Sequence, residues 1–279
     1  MTRANGARSR GFTLLELLVS IGIAAIVLGG LASAVASQSR SAIFTLGSAD
    51  MSQDVRSAID LFKRDVRMAG FNMGAIPTAT LAPVVVNANG AGETYHITLR
   101  GNYGNVSSTG SAAAGATTIA LDATAVPACS TLTFTTGKRV SIESQILGAA
   151  EVSTISGWAP GPPCQLTIST ALVQTYGAGS PVHQIDDVVY ILNNTGVFWR
   201  NGLAVADGMT VANAVQVSYV LSDGTAVADP SGSLDILRAA AIRMQAAGIN
   251  NAGITPQADT STQVRIRNLA IATAPLESP

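Results

Sequence analysis

Aromatic residues make up only 5% of this 279-residue chain and charged residues only 12%. Trp158, Trp199 and the tyrosines are not arrayed for base stacking or sugar binding, so they read as core anchors. The net charge is −1 and no basic run follows the first ten residues, so charge gives no support for a nucleic-acid face. Histidine is limited to His96 and His183, both in strand-like or loop settings. G-x-S-x-G, H-E-x-x-H, P-loop and C-x-x-C patterns are all missing. The chain therefore reads as not an enzyme. Cysteine is limited to Cys129 and Cys164, with no His or Cys cluster beside them, which argues against a metal site. Asp186 with Asp187, and Asp223 with Asp229, offer oxygen ligands that would suit calcium, but their spacing does not match an EF-hand loop. Turn capping is the competing reading of these aspartates, and the expectation is no cofactor.

What the chain does have is one long apolar run. From Phe12 to Ala36 there are 25 residues, and Glu16 is the only ionisable one. About 20 apolar residues suffice to cross a bilayer. A carboxylate inside such a run is costly, by at least roughly 2.5 kcal/mol at the bilayer centre, and marks a functional residue in search of a partner. Arg3, Arg8 and Arg10 precede the run, in a segment without acids. By the positive-inside rule that segment is cytoplasmic and the remainder faces outward. The arrangement differs from a secretory signal, because the run exceeds a signal core of 7–15 residues and no clean small-residue site ends it. The natural cut lies before the run, between Gly11 and Phe12.

Gly11-Phe12-Thr13-Leu14-Leu15-Glu16 resembles the type III signal of type IV pilins and their relatives. The resemblance implies cleavage by a membrane prepilin peptidase after Gly11, N-methylation of Phe12, and an assembly role for Glu16. The physics agrees with that role. A carboxylate one turn along can neutralise the new ammonium of a neighbouring subunit inside a low-dielectric bundle. At an effective dielectric near 20 a contact of about 4 Å gives roughly 4 kcal/mol of gross attraction. Desolvation takes back much of it, so the pair specifies docking and register more than it stabilises.

Beyond Ala36, Ile43, Leu46, Met51, Val55, Ile59, Phe62, Val66 and Ala69 recur near every third or fourth position, with charged residues between the later ones. This predicts a helix with one buried stripe, an Asp60–Arg64 pair on its outer face, and Gly70 as its stop. No proline interrupts the chain before Pro77. Gly22, Gly29 and Gly30 lie inside the apolar half, where they allow either close helix packing or a local melting point. Arg64 to Phe71, Val197–Gly202 and Val264–Asn268 resemble PilW-type minor pilins.

After Pro77 short β-like runs alternate with Gly, Asn, Asp and Pro. Strands are expected at Thr94–Arg100, Thr117–Leu121, Thr131–Thr135, Arg139–Ser144, Glu151–Ile155, Gln165–Ser169, Asp187–Leu192, Val197–Arg200, Val215–Leu221 and Gln263–Ile271. Gly90–Gly92 reads as a turn, and Gly104–Gly115 and Asp223–Gly232 as loops. Ile236–Met244 is ambiguous between helix and strand, and the resemblance favours strand. A disulfide between Cys129 and Cys164 suits an oxidising compartment and would close a loop of 36 residues. It would contribute roughly 3–4 kcal/mol in the chain-entropy model.

The expected fold is α+β and pilin-like, a long N-terminal helix packed on a β-rich globular domain. The expected organisation is a leader over 1–11, a transmembrane helix over 12–36, the amphipathic half of that helix over 37–70, and a β-rich periplasmic domain over 71–279. The resemblance implies a minor type IV pilus subunit that helps to prime assembly at the tip, with twitching motility, adhesion or DNA uptake as the process it serves. It would reside in the bacterial inner membrane and then in the pilus at the cell surface. Its partners would be the prepilin peptidase, other minor and major pilins, and the assembly platform, with no nucleic acid. The alternatives are a J-type pseudopilin of a type II secretion system and a membrane-tethered periplasmic binding protein.

Overall fold

The computed structural model describes residues 13–73, 76, 80–122, 131–144, 148–161, 164–210, 212–229, 237–250 and 253–265. Helix α1 runs without a break from Leu14 to Met68, through Gly22, Gly29 and Gly30. It stops at Gly70, whose φ of 78° is the left-handed conformation that a C′ glycine adopts without steric cost. The freed N–H of Gly70 donates to the carbonyl of Arg100 at 2.8 Å, tying the helix end to a strand. The chain divides into two compact units, Met1–Asp50 and Met51–Pro279, and residues 51–68 of α1 belong to the second. In the first unit every described side chain is exposed, Ile43 and Leu46 included. The buried stripe expected from residue 43 therefore begins only at half-buried Met51. It continues through Val55, Ala58, Ile59, Phe62, Val66 and Ala69.

Fourteen strands follow among the described residues. They are β1 (Val84–Val86), β2 (Glu93–Gly101), β3 (Ser107–Ala112), β4 (Thr118–Leu121), β5 (Arg139–Ser144), β6 (Ala149–Ala159) and β7 (Gln165–Ile168). After them come β8 (Tyr176–Asn193), β9 (Phe198–Arg200), β10 (Leu203–Ala206), β11 (Val215–Leu221), β12 (Ala226–Val227), β13 (Leu237–Asn250) and β14 (Gly253–Arg265). One sheet runs β1-β2-β8-β9-β10 and uses the second half of β8. Another runs β12-β11-β13-β14, and every pairing in both is antiparallel. Apolar residues of both sheets share one core with helix residues 55–69. Phe62 is at its centre, edge-on to Tyr190 at 4.8 Å and to Phe198 at 6.2 Å.

The first half of β8 belongs to a separate layer. There β8 pairs with β3 on one side and β5 on the other, and His183 faces both Ser107 and Ser141. The remaining pairings run β3-β4-β7-β6-β5, so six antiparallel strands close on themselves as a barrel. Closure removes the open sheet edges that strands otherwise expose. The interior is filled with side chains including Ile119, Phe134, Ile142, Ile155, Leu166, Tyr176 and Val182. At Gly110 any Cβ would lie 2.7 Å from the carbonyl oxygen of Ala120, so only glycine lets β3 approach β4 there. The barrel is inserted between Gly101 and Asp186, which pair directly across β2 and β8.

Several expectations require correction. Thr131–Thr135 forms no strand; Leu132 and Phe134 are buried in the barrel interior from irregular backbone. Gly104–Gly115 is not a loop throughout, since it contains β3, in which Gly110 is required by the close backbone of Ala120. Asp60 meets Lys63 at 3.5 Å, not Arg64. Asp187–Leu192 is only the end of an 18-residue strand whose Gly-, Ser- and Pro-containing start hides its β character. Asp223–Gly232 includes the short strand β12. Ile236–Met244 falls in strand β13 from residue 237 onward, and β14 ends at Arg265, with 266–271 outside the described residues. Gly92, at φ 80°, makes the expected turn.

Candidate functional site

The first described residues of α1 form a cap around Glu16. The Glu16 N–H donates to Thr13 Oγ1 at 3.3 Å, while Thr13 N–H and Oγ1 both lie 3.4 Å from Glu16 Oε2. This is the reciprocal capping box of Thr-x-x-Glu, which satisfies backbone donors that a helix start leaves unpaired. Its distances are at the long end of the hydrogen-bond range, so the carboxylate is held loosely and keeps free acceptor capacity. Glu16 therefore sits exposed at the positive end of the helix dipole, in the first turn of α1. The sequence signal for this local partner is the pattern T-x-x-E over Thr13–Glu16. Gly11, Phe12, Arg3, Arg8 and Arg10 lie outside the described residues.

Apart from Thr13 and Ser20, the helix surface around Glu16 is apolar. Leu14, Leu17, Leu18, Ile21, Ile26 and Leu31 are all more than half exposed, with Leu14 at 80% and Ile26 at 77%. Water does not tolerate so large an apolar surface on a stable molecule; lipid or other helices do. By length and composition α1 is able to cross a membrane.

At the other end of α1 a buried carboxylate fixes the helix to the sheet. Asp65, 3% exposed, accepts from Tyr190 Oη and Arg200 Nε, each at 2.7 Å. Tyr103 Oη donates to the backbone carbonyl of the same residue at 2.7 Å. Burial, reinforced by the Asp65 charge, pushes both tyrosine hydroxyls well above their ordinary range. The hydrogen bond to Asp65 holds the Arg200 guanidinium further up. The group is fully partnered and closed to substrate, so its role is structural.

The remaining candidates are likewise engaged. Asp186 accepts from Lys138, Gln184 and the Gly104 N–H, and Asp187 from Arg139, with Arg100 3.4 Å away. Asp223 caps its own turn through the Thr225 N–H. Asp229 is also engaged. His96 bonds the Glu93 carboxylate and His183 bonds the Ser107 hydroxyl, each at 2.9 Å. Cys164 is buried in the barrel, and Cys129 lies outside the described residues. A shallow depression of about 450 Å³ on the outer face of β11, β13 and β14 is lined by Gln216, Ser218, Arg243 and Gln263 around Ala241. It holds no acid–base pair beyond the Arg243–Asp259 ion pair beside it.

Residues 6–32 match the family model of the prokaryotic N-terminal methylation motif. No curated protein and no solved structure matches the chain. The matched segment spans Glu16, its capping Thr13 and most of the exposed apolar helix. The motif, which implies processing by the prepilin peptidase, thus runs into a membrane-competent helix that is followed by a β-rich unit, an arrangement like that of type IV pilins and pseudopilins, which suggests a structural subunit.

Proposed function

We propose that this chain is a minor subunit of a type IV pilus, cut between Gly11 and Phe12, N-methylated on Phe12, and built into the filament by its N-terminal helix. Before incorporation it spans the inner membrane once, with Arg3, Arg8 and Arg10 in the cytoplasm and the β-rich unit in the periplasm. Within the filament it primes assembly at or near the tip. One observation carries this reading: an exposed apolar helix whose sole carboxylate up to residue 39, Glu16, is loosely capped and free to accept a neighbour's amine. Placement among PilW-type minor pilins is supported by Asp65, Ala69 and Gly70, the residues of the shared helix ending, which lock that end in place. A Cys129–Cys164 bond belongs to the same reading and is supported by Cys164 carrying no free thiol. The function uses no cofactor.

Intact mass and N-terminal analysis in cells with and without the prepilin peptidase test the processing step. The expected product begins at methylated Phe12 only when the peptidase is present; a chain still beginning at Met1 in its presence refutes it. Glu16→Leu is expected to leave membrane insertion intact and abolish incorporation into filaments. Copurification with minor pilins supports the pilus, whereas copurification with secretion pseudopilins replaces it with the secretion-system reading. Normal activity of the unassembled chain after Glu16→Ala would point to a membrane-tethered binding protein.

A further inference from the structure

Glu16 and Arg40 bracket a stretch of α1, residues 17–39, that contains no ionisable side chain. With 1.5 Å of rise per residue the two charges stand about 36 Å apart along the axis. A tilt of about 20° shortens their separation across a bilayer to about 34 Å. The hydrocarbon core is about 30 Å thick, so both charges reach headgroup depth together and neither has to enter the hydrocarbon. The stretch between them is prepared for lipid. Ser20, Ser33 and Ser37 donate their hydroxyls to the carbonyls of Glu16, Gly30 and Ala34 at 2.7, 2.9 and 3.1 Å. Hydroxyls bonded in this way cost little in an environment without water. Arg40 lies in Ser37-Gln38-Ser39-Arg40-Ser41, where the polar residues cluster, and its side chain is exposed. Beyond it, Ile43 and Leu46 are exposed apolar residues, and the next charge is Asp50.

We propose that Arg40 is a lipid-binding residue whose guanidinium engages the phosphates of the outer leaflet and sets the depth of the helix. A planar guanidinium suits phosphate oxygens through paired hydrogen bonds. Held there, the helix keeps Glu16 at the inner edge of the hydrocarbon, within reach of the water-facing side. Without the guanidinium nothing ionic marks the outer boundary before Asp50, and Ile43 and Leu46 are drawn into the bilayer as the helix slides inward. The inference rests on the membrane retention proposed above.

The test uses the full chain in spheroplasts of cells blocked in filament assembly, labelled with a membrane-impermeant maleimide and compared with the parent chain lacking an added cysteine. Ser41→Cys is expected to label and Leu31→Cys not. Adding Arg40→Leu is expected to lower labelling of Ser41→Cys at least about fivefold, and Arg40→Lys, which keeps the charge but loses the paired hydrogen bonds, to lower it less. Unchanged labelling of Ser41→Cys after Arg40→Leu, in a chain that stays in the membrane pellet after alkaline extraction, overturns the role of Arg40. Labelling of Leu31→Cys overturns the depth assignment. A chain extracted from the pellet refutes the membrane reading beneath both.

Discussion

Asp65 has the burial of a core residue and the charge of a surface one, and its three partners lie far along the chain, in the turn after β2 and in strands β8 and β9. Removing one member of a buried ion pair leaves the other charge uncompensated, at roughly 3–5 kcal/mol. Arg200 is partly exposed, so Asp65→Leu should fall near the low end, about 3 kcal/mol, read as a lower urea midpoint of the detergent-solubilised chain. Nothing in the sequence distinguished Asp65 from its charged neighbours Lys63, Arg64 and Arg67. Its partners are 38 to 135 residues away, and only tertiary packing selects it. His183 offers a pH-dependent test. Burial holds its imidazolium pKa below the ordinary 6.5, so the folded state favours the neutral ring. The stability this contributes is full above 6.5 and is lost as the pH falls through the folded value. The wild-type urea midpoint should therefore drop relative to that of His183→Gln as the pH is lowered below 6.5, and equal slopes would refute the assignment.

At the scale of elements, the helix was legible and the barrel was not. The apolar run, the stripe from Met51 to Ala69 and the stop at Gly70 are local signals with a period of 3.6 residues, and the structure follows them. Strands with regular alternation, such as Arg139–Ser144 and Val215–Leu221, were also legible to the residue. The barrel closes through non-local pairings of Ser-, Gly- and Thr-rich segments whose β character comes from their neighbours rather than their composition. Gly110 shows the difference: its composition suggests a loop, while its position forbids a side chain. Gly110→Ala should push β3 off Ala120 and lower the thermal midpoint of the barrel, while Phe62→Ala should remove about 3–5 kcal/mol from the helix–sheet core. Protease sensitivity confined to the barrel in the first variant, and spread through the remaining sheets in the second, checks both.

For the whole molecule, the division after Asp50 separates a helix segment that buries nothing from a unit that holds the entire described core. A chain lacking residues 1–50 should therefore be soluble without detergent, keep its β-rich circular dichroism, and unfold at the urea midpoint of the full chain. Aggregation or loss of cooperativity would show that the apolar helix supports the fold as well as the assembly. Because Gly101 and Asp186 are ladder partners, their α-carbons stand only about 5 Å apart, the gap that a two-residue turn closes. Most of the segment between them can thus be exchanged as a cassette: a short loop that keeps Asn102 and Tyr103 leaves a hairpin against helix residues 55–69. The barrel's outer surface can then vary while the helix and the sheets beneath it keep their packing.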